Sequence, residues 1–221
     1  LAAFERETAA RADASLFVSE AEAALFRDSV APPGARIETL ENGIDWRFFD
    51  PAAKTPPAEG AGEGRLIVFT GQMDYFANVD GVAFFAREVL PLLRRRHPDL
   101  EVVIVGRSPT PAVRTLGELP GVSVTGAVGD VRPFLARSWV FVAPLRIAQG
   151  VQNKVLEAMA MDVPVVCSDR VLAGLADGGF RHGRDLLASP LSQETGEGAE
   201  SFASCVTQLL EDAGARARLA E

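Results

Sequence analysis

Gly150, Lys154 and Glu157 are the residues whose types and spacing point most directly to chemistry. They follow a short apolar run and lie in or just before a helical pattern from Val151 to Met161. Positions four and seven residues after a glycine share one helix face, so the three residues should face the same space. A glycine and the free amides of a helix start favour a phosphate, and Lys154 and Arg146 add positive charge. A plain strand-to-helix connection has the same spacing, so both interpretations stay open here.

Glu157 is a carboxylate with apolar residues on both sides. An unpaired buried charge is costly, so this side chain must either reach a partner or line a polar cleft. An ion pair with Lys154 or a solvated helix face would satisfy it without any ligand. A ribose offers two adjacent hydroxyl groups that one carboxylate can accept together, and this alternative makes the ligand a nucleotide.

The segment from Gly71 to Asn78 is the second candidate, because it combines a glycine with several polar groups after the apolar run Leu66 to Thr70. Asn78 is interpreted as the N-cap of the helix that follows. Gly71 is expected to face Gly150 across a crevice. These two loops are therefore predicted to form one site.

The elements that must position these loops alternate regularly after Arg65. Six strands are predicted, at Leu66 to Thr70, Val102 to Val105, Val122 to Thr125, Val140 to Ala143, Val163 to Cys167 and Asp185 to Ala188. Helices are predicted at Val79 to Arg95, Pro111 to Glu118, Val131 to Arg137, Val151 to Met161, Val171 to Leu175 and Glu197 to Leu210. Continuous apolar strands, each followed by a helix, are typical of an α/β fold with a doubly wound, Rossmann-like parallel sheet. In the usual strand order, ligands bind outside the carboxyl ends of the first and fourth strands, here Gly71 to Asn78 and Pro144 to Gly150.

The first 50 residues have a different organisation. A helical pattern runs from Phe4 to Asp13, and a short apolar run precedes Ser19. Ser19 with Glu22 three residues later is a capping-box pattern, which predicts a helix to about Asp28.

A composition rich in Pro, Ala, Gly and Glu from Pro51 to Gly64 predicts a flexible loop and the main boundary of the chain. The predicted division is 1–50 as the end of a preceding domain, 51–64 as the loop, and 65–221 as a ligand-binding domain.

Composition excludes several functional classes. Acidic residues exceed basic residues by eight, and no basic stripe suited to nucleic acid is present. No apolar run has the length of a membrane span. The two cysteines, Cys167 and Cys205, and the two histidines, His97 and His182, lack metal-ligand spacing, so no metal site is expected.

Much of the chain resembles the C-terminal half of retaining GT-B glycosyltransferases of family 4. The resemblance is carried by Leu66 to Gly71, Asn78, Leu90-Pro91, Pro98, Val102 to Gly106, Val124 to Gly126, Asp130, Pro144 to Ala160 and Val163 to Val166, with Asn42 to Asp45 and Phe49 to Pro51 upstream. The fairly specific part is G-x-x-x-K-x-x-E-A-M-A followed by P-V-V, from Gly150 to Val166.

The resemblance implies a nucleotide-diphosphate sugar as donor and assigns roles to residues of this chain. Glu157 would hold the ribose, and Lys154 with the backbone of Gly150 and Val151 would hold the diphosphate. The loop from Gly126 to Val131, including Val128, would flank the base.

The sequence departs from the family pattern in two respects. Gln149 stands where a sugar-contacting carboxylate is usual, and Gln72 and Asn78 stand where Arg and Lys are common. Arg146 is expected to compensate, and Lys154 and Arg146 are the candidates for stabilising the departing diphosphate.

The sequence thus predicts the donor-binding half of a metal-independent bacterial glycosyltransferase of surface or exopolysaccharide synthesis. A glycan or lipid-linked acceptor and a missing N-terminal domain of the same protein are the expected partners. The chain is expected to be an inactive fragment on its own, either cytoplasmic or peripheral at the inner face of the membrane. Alternatives are another GT-B protein, such as a sugar-nucleotide epimerase or hydrolase, and a non-catalytic nucleotide-binding module.

Overall fold

The computed structural model describes residues 1–52, 64–192 and 197–220. In chain order its main elements are α1 (Ala2–Arg11), β1 (Ser15–Phe17), α2 (Glu20–Ser29), β2 (Ile37–Thr39), β3 (Leu66–Thr70), α3 (Phe76–Phe84), α4 (Leu90–Arg94), β4 (Glu101–Val105), α5 (Pro111–Leu116), β5 (Val122–Gly126), α6 (Arg132–Arg137), β6 (Val140–Ala143), α7 (Asn153–Ala160), β7 (Val165–Ser168), α8 (Asp169–Ala173), β8 (Leu187–Ser189), α9 (Ala199–Glu211) and α10 (Ala213–Ala220).

A parallel sheet of six strands, in the order β5-β4-β3-β6-β7-β8, confirms the predicted fold class. The winding reverses between β3 and β6, the first and fourth strands of this sheet. Because parallel crossovers are right-handed, this reversal places helices on both faces of the sheet. The carboxyl ends of β3 and β6 therefore lie next to each other where the winding reverses.

The core explains why these strands are continuous apolar runs. All five residues of β3 and all four of β6 are buried, and Phe69, Phe141 and Phe202 are among the largest fully buried side chains. Removing each such side chain from water contributes about 1.5–3 kcal/mol. The loops at the carboxyl ends of these strands are therefore attached to a well-packed core.

One predicted helix, Val79 to Arg95, is divided in the structure. The helix begins earlier, at Phe76, and passes through a π-helical turn at Phe85–Val89 before α4. The amide of Leu90 donates to the carbonyl of Phe85, five residues earlier. Pro91 lacks an amide hydrogen and its ring would crowd a regular helix, which is a physical reason for the wider turn.

Several other predicted boundaries shift by one or two residues, including those of α1, α8, β8 and α9. Strand β7 begins at Val165 rather than Val163, and Pro164 lacks the amide that a ladder bond would need. Helix α7 begins at Asn153, so Val151 lies in the loop before it.

The N-terminal part forms a two-stranded parallel sheet, β1 with β2, beside α2. The hydroxyl of Ser19 accepts the amide hydrogen of Glu22 at 3.3 Å, which confirms the predicted N-cap. Among the described residues, the carboxylate of Glu22 makes no return bond to Ser19, so only one arm of the capping box forms.

Several contacts join this part to the domain that contains the large sheet. The carboxylate of Asp177 accepts the amide hydrogen of Glu20 at 3.2 Å, and Phe49 is buried in the main core. Most of the predicted 51–64 loop lies outside the described residues.

Candidate functional site

A cleft of about 430 Å³ lies at the carboxyl ends of β3 and β4, against α7. We call it the switch-point cleft. Its lining residues are Thr70, Gly71, Gln72, Val105, Gly106, Arg107, Ala127, Val128, Val131, Lys154 and Glu157. It therefore brings together four of the predicted site residues, namely Gly71, Val128, Lys154 and Glu157.

Glycines let the two strand ends approach each other at the cleft. The amide of Gly71 donates to the carbonyl of Val105 at 3.0 Å. A methyl carbon placed on Gly106 would lie 1.6 Å from the carbonyl oxygen of Gly71, and one placed on Gly71 would lie 3.2 Å from Nζ of Lys154. Side chains at these positions would clash with the neighbouring strand end or with Lys154, so glycine permits the close packing.

Lys154 projects from α7 into the cleft. Its ammonium donates to the side-chain oxygen of Asn78 and lies 4.7 Å from the centre of the Phe69 ring. Burial lowers the pKa of Lys154 to about 8, an effect that nearby Glu157 partly opposes. No ion pair joins Lys154 to a carboxylate among the described residues, so the interpretation as a surface ion-pair partner is not supported by the geometry.

The prediction that Asn78 caps a helix is wrong. Asn78 is buried inside the first turn of α3, and its side-chain amide donates to the carbonyl of Gln72 at 2.8 Å. Its side-chain oxygen is then fixed toward Lys154. Asn78, a neutral residue, therefore positions the ammonium of Lys154, which lies 76 residues later in the sequence.

Glu157 lies one turn after Lys154 on α7 and is half-buried. Burial raises the pKa of its carboxyl, and Lys154 acts in the opposite direction. A carboxylate left without an ion pair at a cleft wall is costly unless hydroxyl or amide hydrogens approach it. Its surroundings suit the hydroxyl groups of a ligand.

Arg107 is a cleft residue that sequence reasoning missed. It follows β4, is exposed, and donates to the side-chain oxygen of Gln72 at 2.9 Å. The cleft therefore has two cations, Lys154 and Arg107. The sequence contained a signal for it, since Gly106 and Arg107 directly follow the buried strand β4. The rule that ligands bind where the winding of the sheet reverses instead pointed to the first and fourth strands.

Arg146 does not line the switch-point cleft. Its guanidinium forms a two-point ion pair with Asp80, at 3.0 Å for one bond, and lies 4.9 Å from the Phe84 ring centre. Both charged side chains are largely buried. In this conformation Arg146 fixes the β6–α7 loop to α3.

Gln149 and Gly150 lie in a different cavity of about 560 Å³, which we call the α2 groove. The predictions that Gly150 faces Gly71 across one crevice and shares a space with Lys154 and Glu157 are therefore wrong, because the loop before α7 turns toward α2. It is lined by Glu5, Phe17, Ser19, Ala21, Glu22, Leu25, Phe26, Ser29, Val30, Ala148, Gln149, Gly150, Arg170, Ala173, Gly174 and Asp177. Gly150 has φ +60°, a left-handed conformation that glycine adopts without strain. A methyl carbon on Gly174 would lie 2.2 Å from the carbonyl oxygen of Gly150, so Gly174 permits the close approach of this loop. Val151 lines neither cavity.

The loop from Gly126 to Val131 borders the switch-point cleft through Ala127, Val128 and Val131. Gly126 itself, at φ +73°, lines a neighbouring open cleft and accepts the amide hydrogen of Gly106 at 3.2 Å. The adjacent Asp130 and Arg132 form an ion pair at 2.6 Å, and this pairing lowers the pKa of the Asp130 carboxyl. The loop is thus anchored at its carboxyl end.

The structure also bears on metals and membranes. In the three described ranges, no group of three or more His, Cys, Asp or Glu side chains is placed to hold a metal ion. No helix in those ranges is both long and apolar enough to cross a bilayer.

Residues 64–212, about two thirds of the chain, match the family described as Glycosyl transferases group 1. The chain belongs to this glycosyltransferase family. A phosphatidyl-myo-inositol mannosyltransferase of Propionibacterium freudenreichii subsp. shermanii is 31% identical over 138 residues, covering 62% of this chain and 34% of that protein. A protein of the same name from Mycolicibacterium smegmatis is 33% identical over 150 residues, covering 63% of this chain and 37% of that protein.

Solved glycosyltransferase structures share the fold. Anabaena Alr3699/HepE, solved in complex with UDP and glucose, superimposes with a TM-score of 0.73 at 16% identity. The match covers 100% of this chain and 60% of that one. The chain has the Rossmann-like architecture of a GT-B glycosyltransferase, and it spans about one third of the length of the two mannosyltransferases.

Proposed function

We propose that this chain is the donor-binding part of a retaining, metal-independent glycosyltransferase that takes its sugar from a nucleotide-diphosphate sugar. The observation that carries the proposal is the switch-point cleft, where the ammonium of Lys154, held by Asn78, and the half-buried carboxylate of Glu157 face two glycine-containing strand ends. Membership of the glycosyltransferase family supports this assignment. The two mannosyltransferase relatives support a hexose as the transferred group.

Each side chain of the cleft has a role in donor binding. The ammonium of Lys154 and the guanidinium of Arg107 neutralise the diphosphate, with the backbone near Gly150 and Val151 donating amide hydrogens. Glu157 accepts the two ribose hydroxyl hydrogens, which replaces the hydration its carboxylate lost on burial. The base lies against the loop that includes Gly126 and Val128.

The reaction that this arrangement serves is a substitution at the anomeric carbon. The bond from that carbon to the phosphate oxygen breaks, the acceptor oxygen bonds to the same face, and the acceptor proton passes to the departing phosphate. Charge develops on the diphosphate, where fixed cations act without reorganisation. Lys154 is the proposed catalytic cation, and Arg146 joins it only when its guanidinium leaves Asp80.

Residues 65–221 are proposed as the donor-binding domain, residues 1–50 as the end of an acceptor domain and 51–64 as the linking loop. The proposed partner is a glycan or lipid-linked acceptor of surface or exopolysaccharide synthesis, at the cytoplasmic side of the membrane.

A non-catalytic nucleotide-binding module is the second candidate, since Gln149 is uncharged and Arg146 is occupied by Asp80. An epimerase or hydrolase is less well supported. Such enzymes would need acid and base groups in the cleft, whereas His97 contacts Arg65 and Glu211 and His182 accepts the amide hydrogen of Ala188.

Titration of the chain with UDP, GDP, ADP and TDP and with their sugar conjugates, followed by ligand-detected NMR, tests the proposal. We expect at least one nucleotide to bind, and Lys154→Ala to weaken its binding by about 1–3 kcal/mol. A matched control is Lys154→Arg, which keeps the charge. The proposal fails if no nucleotide binds or if Lys154→Ala binds every nucleotide as the wild type does.

A further inference from the structure

Two exposed aromatic side chains lie next to each other at the rim of the switch-point cleft. Tyr75 is 62% exposed and Phe76 is 63% exposed. Within residues 64–192 and 197–220, no other large apolar side chain is exposed. Apolar surface that remains in contact with water at adjacent positions marks an interaction site more often than an isolated exposed residue does. We call Tyr75 and Phe76 the aromatic pair.

The aromatic pair is close to the cleft because a hydrogen-bonded turn connects the two. Gln72 lines the cleft, and its carbonyl accepts the amide hydrogen of Tyr75 at 3.3 Å. A turn closed by such a bond brings Cα atoms three residues apart to within about 7 Å of each other. A molecule that contacts these rings therefore lies beside a donor in the cleft.

The loop that carries the aromatic pair is anchored on both sides. Met73 is buried and donates its amide hydrogen to the carbonyl of Arg107 at 2.8 Å. Asn78 donates from its side-chain amide to the carbonyl of Gln72 at 2.8 Å, and from its backbone amide to the carbonyl of Tyr75 at 3.0 Å. The exposed rings therefore lie on a turn that the rest of the domain holds in place.

Stability does not explain an aromatic residue at position 75. Tyr75 is the N-cap of α3, and its side chain makes no capping hydrogen bond. Serine, threonine, aspartate and asparagine are the residues that stabilise this position. The chain therefore lacks a stabilising cap at the same position where it exposes a ring, which points to a role in binding.

The charges near the aromatic pair favour a neutral partner over an anionic lipid surface. Asp74 directly precedes the pair, is exposed, and forms no ion pair with any residue of the described ranges. The segment from residue 71 to residue 80 contains two carboxylates and no Lys or Arg, and the chain has a formal net charge of −8. One cation, Arg107, reaches this loop through its bond to Gln72. Aromatic residues that bind anionic lipid are accompanied by clusters of basic residues, and no such cluster is present in this segment.

A neutral glycan matches both the rings and the carboxylate. The face of an aromatic ring carries partial negative charge, so it attracts the weakly positive carbon–hydrogen face of a pyranose. The carboxylate of Asp74 accepts hydrogen bonds and has no donor of its own, so it suits sugar hydroxyl groups and repels a sugar acid.

We propose that the aromatic pair and Asp74 bind the glycan of the acceptor and that they select a neutral glycan over an acidic one. This inference rests on the proposed function, because it names the molecule that receives the sugar from a donor in the cleft. It assigns part of acceptor binding to the domain that also binds the donor.

The chain contains a single tyrosine, so isotope-labelled tyrosine gives one NMR signal that reports on this surface. The signal is followed while the chain is titrated with mannobiose and maltose as neutral disaccharides and with digalacturonic acid as the acidic one. Vesicles of phosphatidylcholine and phosphatidylglycerol form a separate arm, and UDP and GDP test the cleft. We expect at least one neutral disaccharide to shift the signal saturably at millimolar concentration, and the acid and the vesicles to leave it unchanged.

Four variants separate ring stacking from a structural role. Tyr75→Ser supplies a helix cap and removes a ring, so its melting temperature should be unchanged or higher while disaccharide binding weakens at least about fivefold. Phe76→Leu keeps an apolar side chain without a ring, and it should also weaken binding, as should Asp74→Asn. Tyr75→Phe keeps the ring and is the matched control, with binding like that of the wild type. Ligand-detected NMR measures binding for all variants.

The results that would overturn the assignment differ from those that would overturn the proposed function. Absence of a saturable shift with both neutral disaccharides, or wild-type binding by Tyr75→Ser, would remove the aromatic pair from glycan binding. A response to vesicles alone would identify a membrane surface, and equal binding of the acid would overturn the selection of a neutral glycan. A chain that binds a disaccharide but no nucleotide would overturn the proposed function, and the surface would then bind a glycan that is not an acceptor.

Discussion

At the residue scale, Lys154 is a cation whose charge depends on pH near neutrality. Its pKa is lowered to about 8 by burial, so the unliganded side chain loses its proton just above that pH. A bound diphosphate favours the ammonium, which means that binding raises the pKa of Lys154. Nucleotide affinity is therefore expected to be constant below pH 8 and to fall above it, by at most about tenfold per pH unit.

This pH dependence is measured by titrating UDP or GDP between pH 7 and 9.5, where the phosphate, with a second pKa of about 6, no longer changes its charge. Lys154→Arg should bind with little pH dependence, because a guanidinium stays protonated throughout. An alkaline fall that persists unchanged in Lys154→Arg would assign the titration to another group.

Glu157 should affect binding and stability in opposite directions. Burial raises the pKa of its carboxyl, which means that the charged form of Glu157 is disfavoured in the folded state. Glu157→Gln removes that cost, and the melting temperature should be unchanged or higher. Nucleotide affinity should fall by about 1–2 kcal/mol, because hydrogen bonds to a charged acceptor are replaced by neutral ones.

The matched ligand for this test is a 2′,3′-dideoxy nucleoside diphosphate. Wild type should prefer the ribonucleotide, and Glu157→Gln should discriminate less between the two. A variant that melts at a lower temperature and keeps its preference for ribose would show that Glu157 is structural.

The sequence predicted the identities of these two residues but not the partners that define their chemistry. The spacing of Lys154 and Glu157 is local, so a helix period suffices to place both in the switch-point cleft, whereas Gly150 precedes α7 and lines the α2 groove. The bond from Lys154 to Asn78 and the position of Arg107 depend on how β3, β4 and α7 meet. Local capping rules instead favoured Asn78 as a cap, because they contain no information on tertiary contacts.

At the element scale, the parallel sheet followed from the apolar pattern, since apolar runs that alternate with helices indicate a sheet covered on both faces. The strand order was taken from the usual order of doubly wound sheets, and the structure has this order. Helix boundaries were harder to predict next to a proline residue. Pro91 lies inside a strongly apolar helical pattern, and the structure accommodates it with a π turn rather than a break. The groove that contains Glu22 was not predicted, because it depends on the seating of α2 against α8.

Gly174 tests whether loop position depends on close packing of elements. Its backbone is helical, so Ala is tolerated conformationally, but the new methyl carbon would lie 2.2 Å from the carbonyl oxygen of Gly150. Gly174→Ala should therefore displace the β6–α7 loop and destabilise the fold by about 1–3 kcal/mol. Thermal denaturation and nucleotide titration measure the two effects.

Gly43→Ala is the control for this substitution, because no atom lies within 4 Å of the added methyl carbon and Gly43 lines neither cavity. It should retain wild-type melting and binding. Wild-type behaviour of Gly174→Ala would mean that α8 moves aside readily and that the loop is not positioned by this contact.

At the scale of the whole molecule, the part formed by α1, β1, α2 and β2 contacts the domain that contains the large sheet. Phe49 in the main core and Asp177 on the amide of Glu20 hold these parts together. The Arg132 guanidinium, 3.8 Å from the Phe48 ring centre, adds a further contact between them.

The 221-residue chain is expected to bind the donor without transferring its sugar. The chain spans about one third of the length of its mannosyltransferase relatives, and transfer requires an acceptor hydroxyl held within attack distance while water is excluded. A cleft closed by the N-terminal part alone leaves the donor accessible to solvent, so slow donor hydrolysis is the most that we expect. A radiolabelled sugar-nucleotide assay with lipid extract as acceptor separates hydrolysis from transfer, and Lys154→Ala controls for turnover at another site. Robust transfer by this chain would show that residues 1–50 already form a working acceptor site, and the proposed domain division would have to be abandoned.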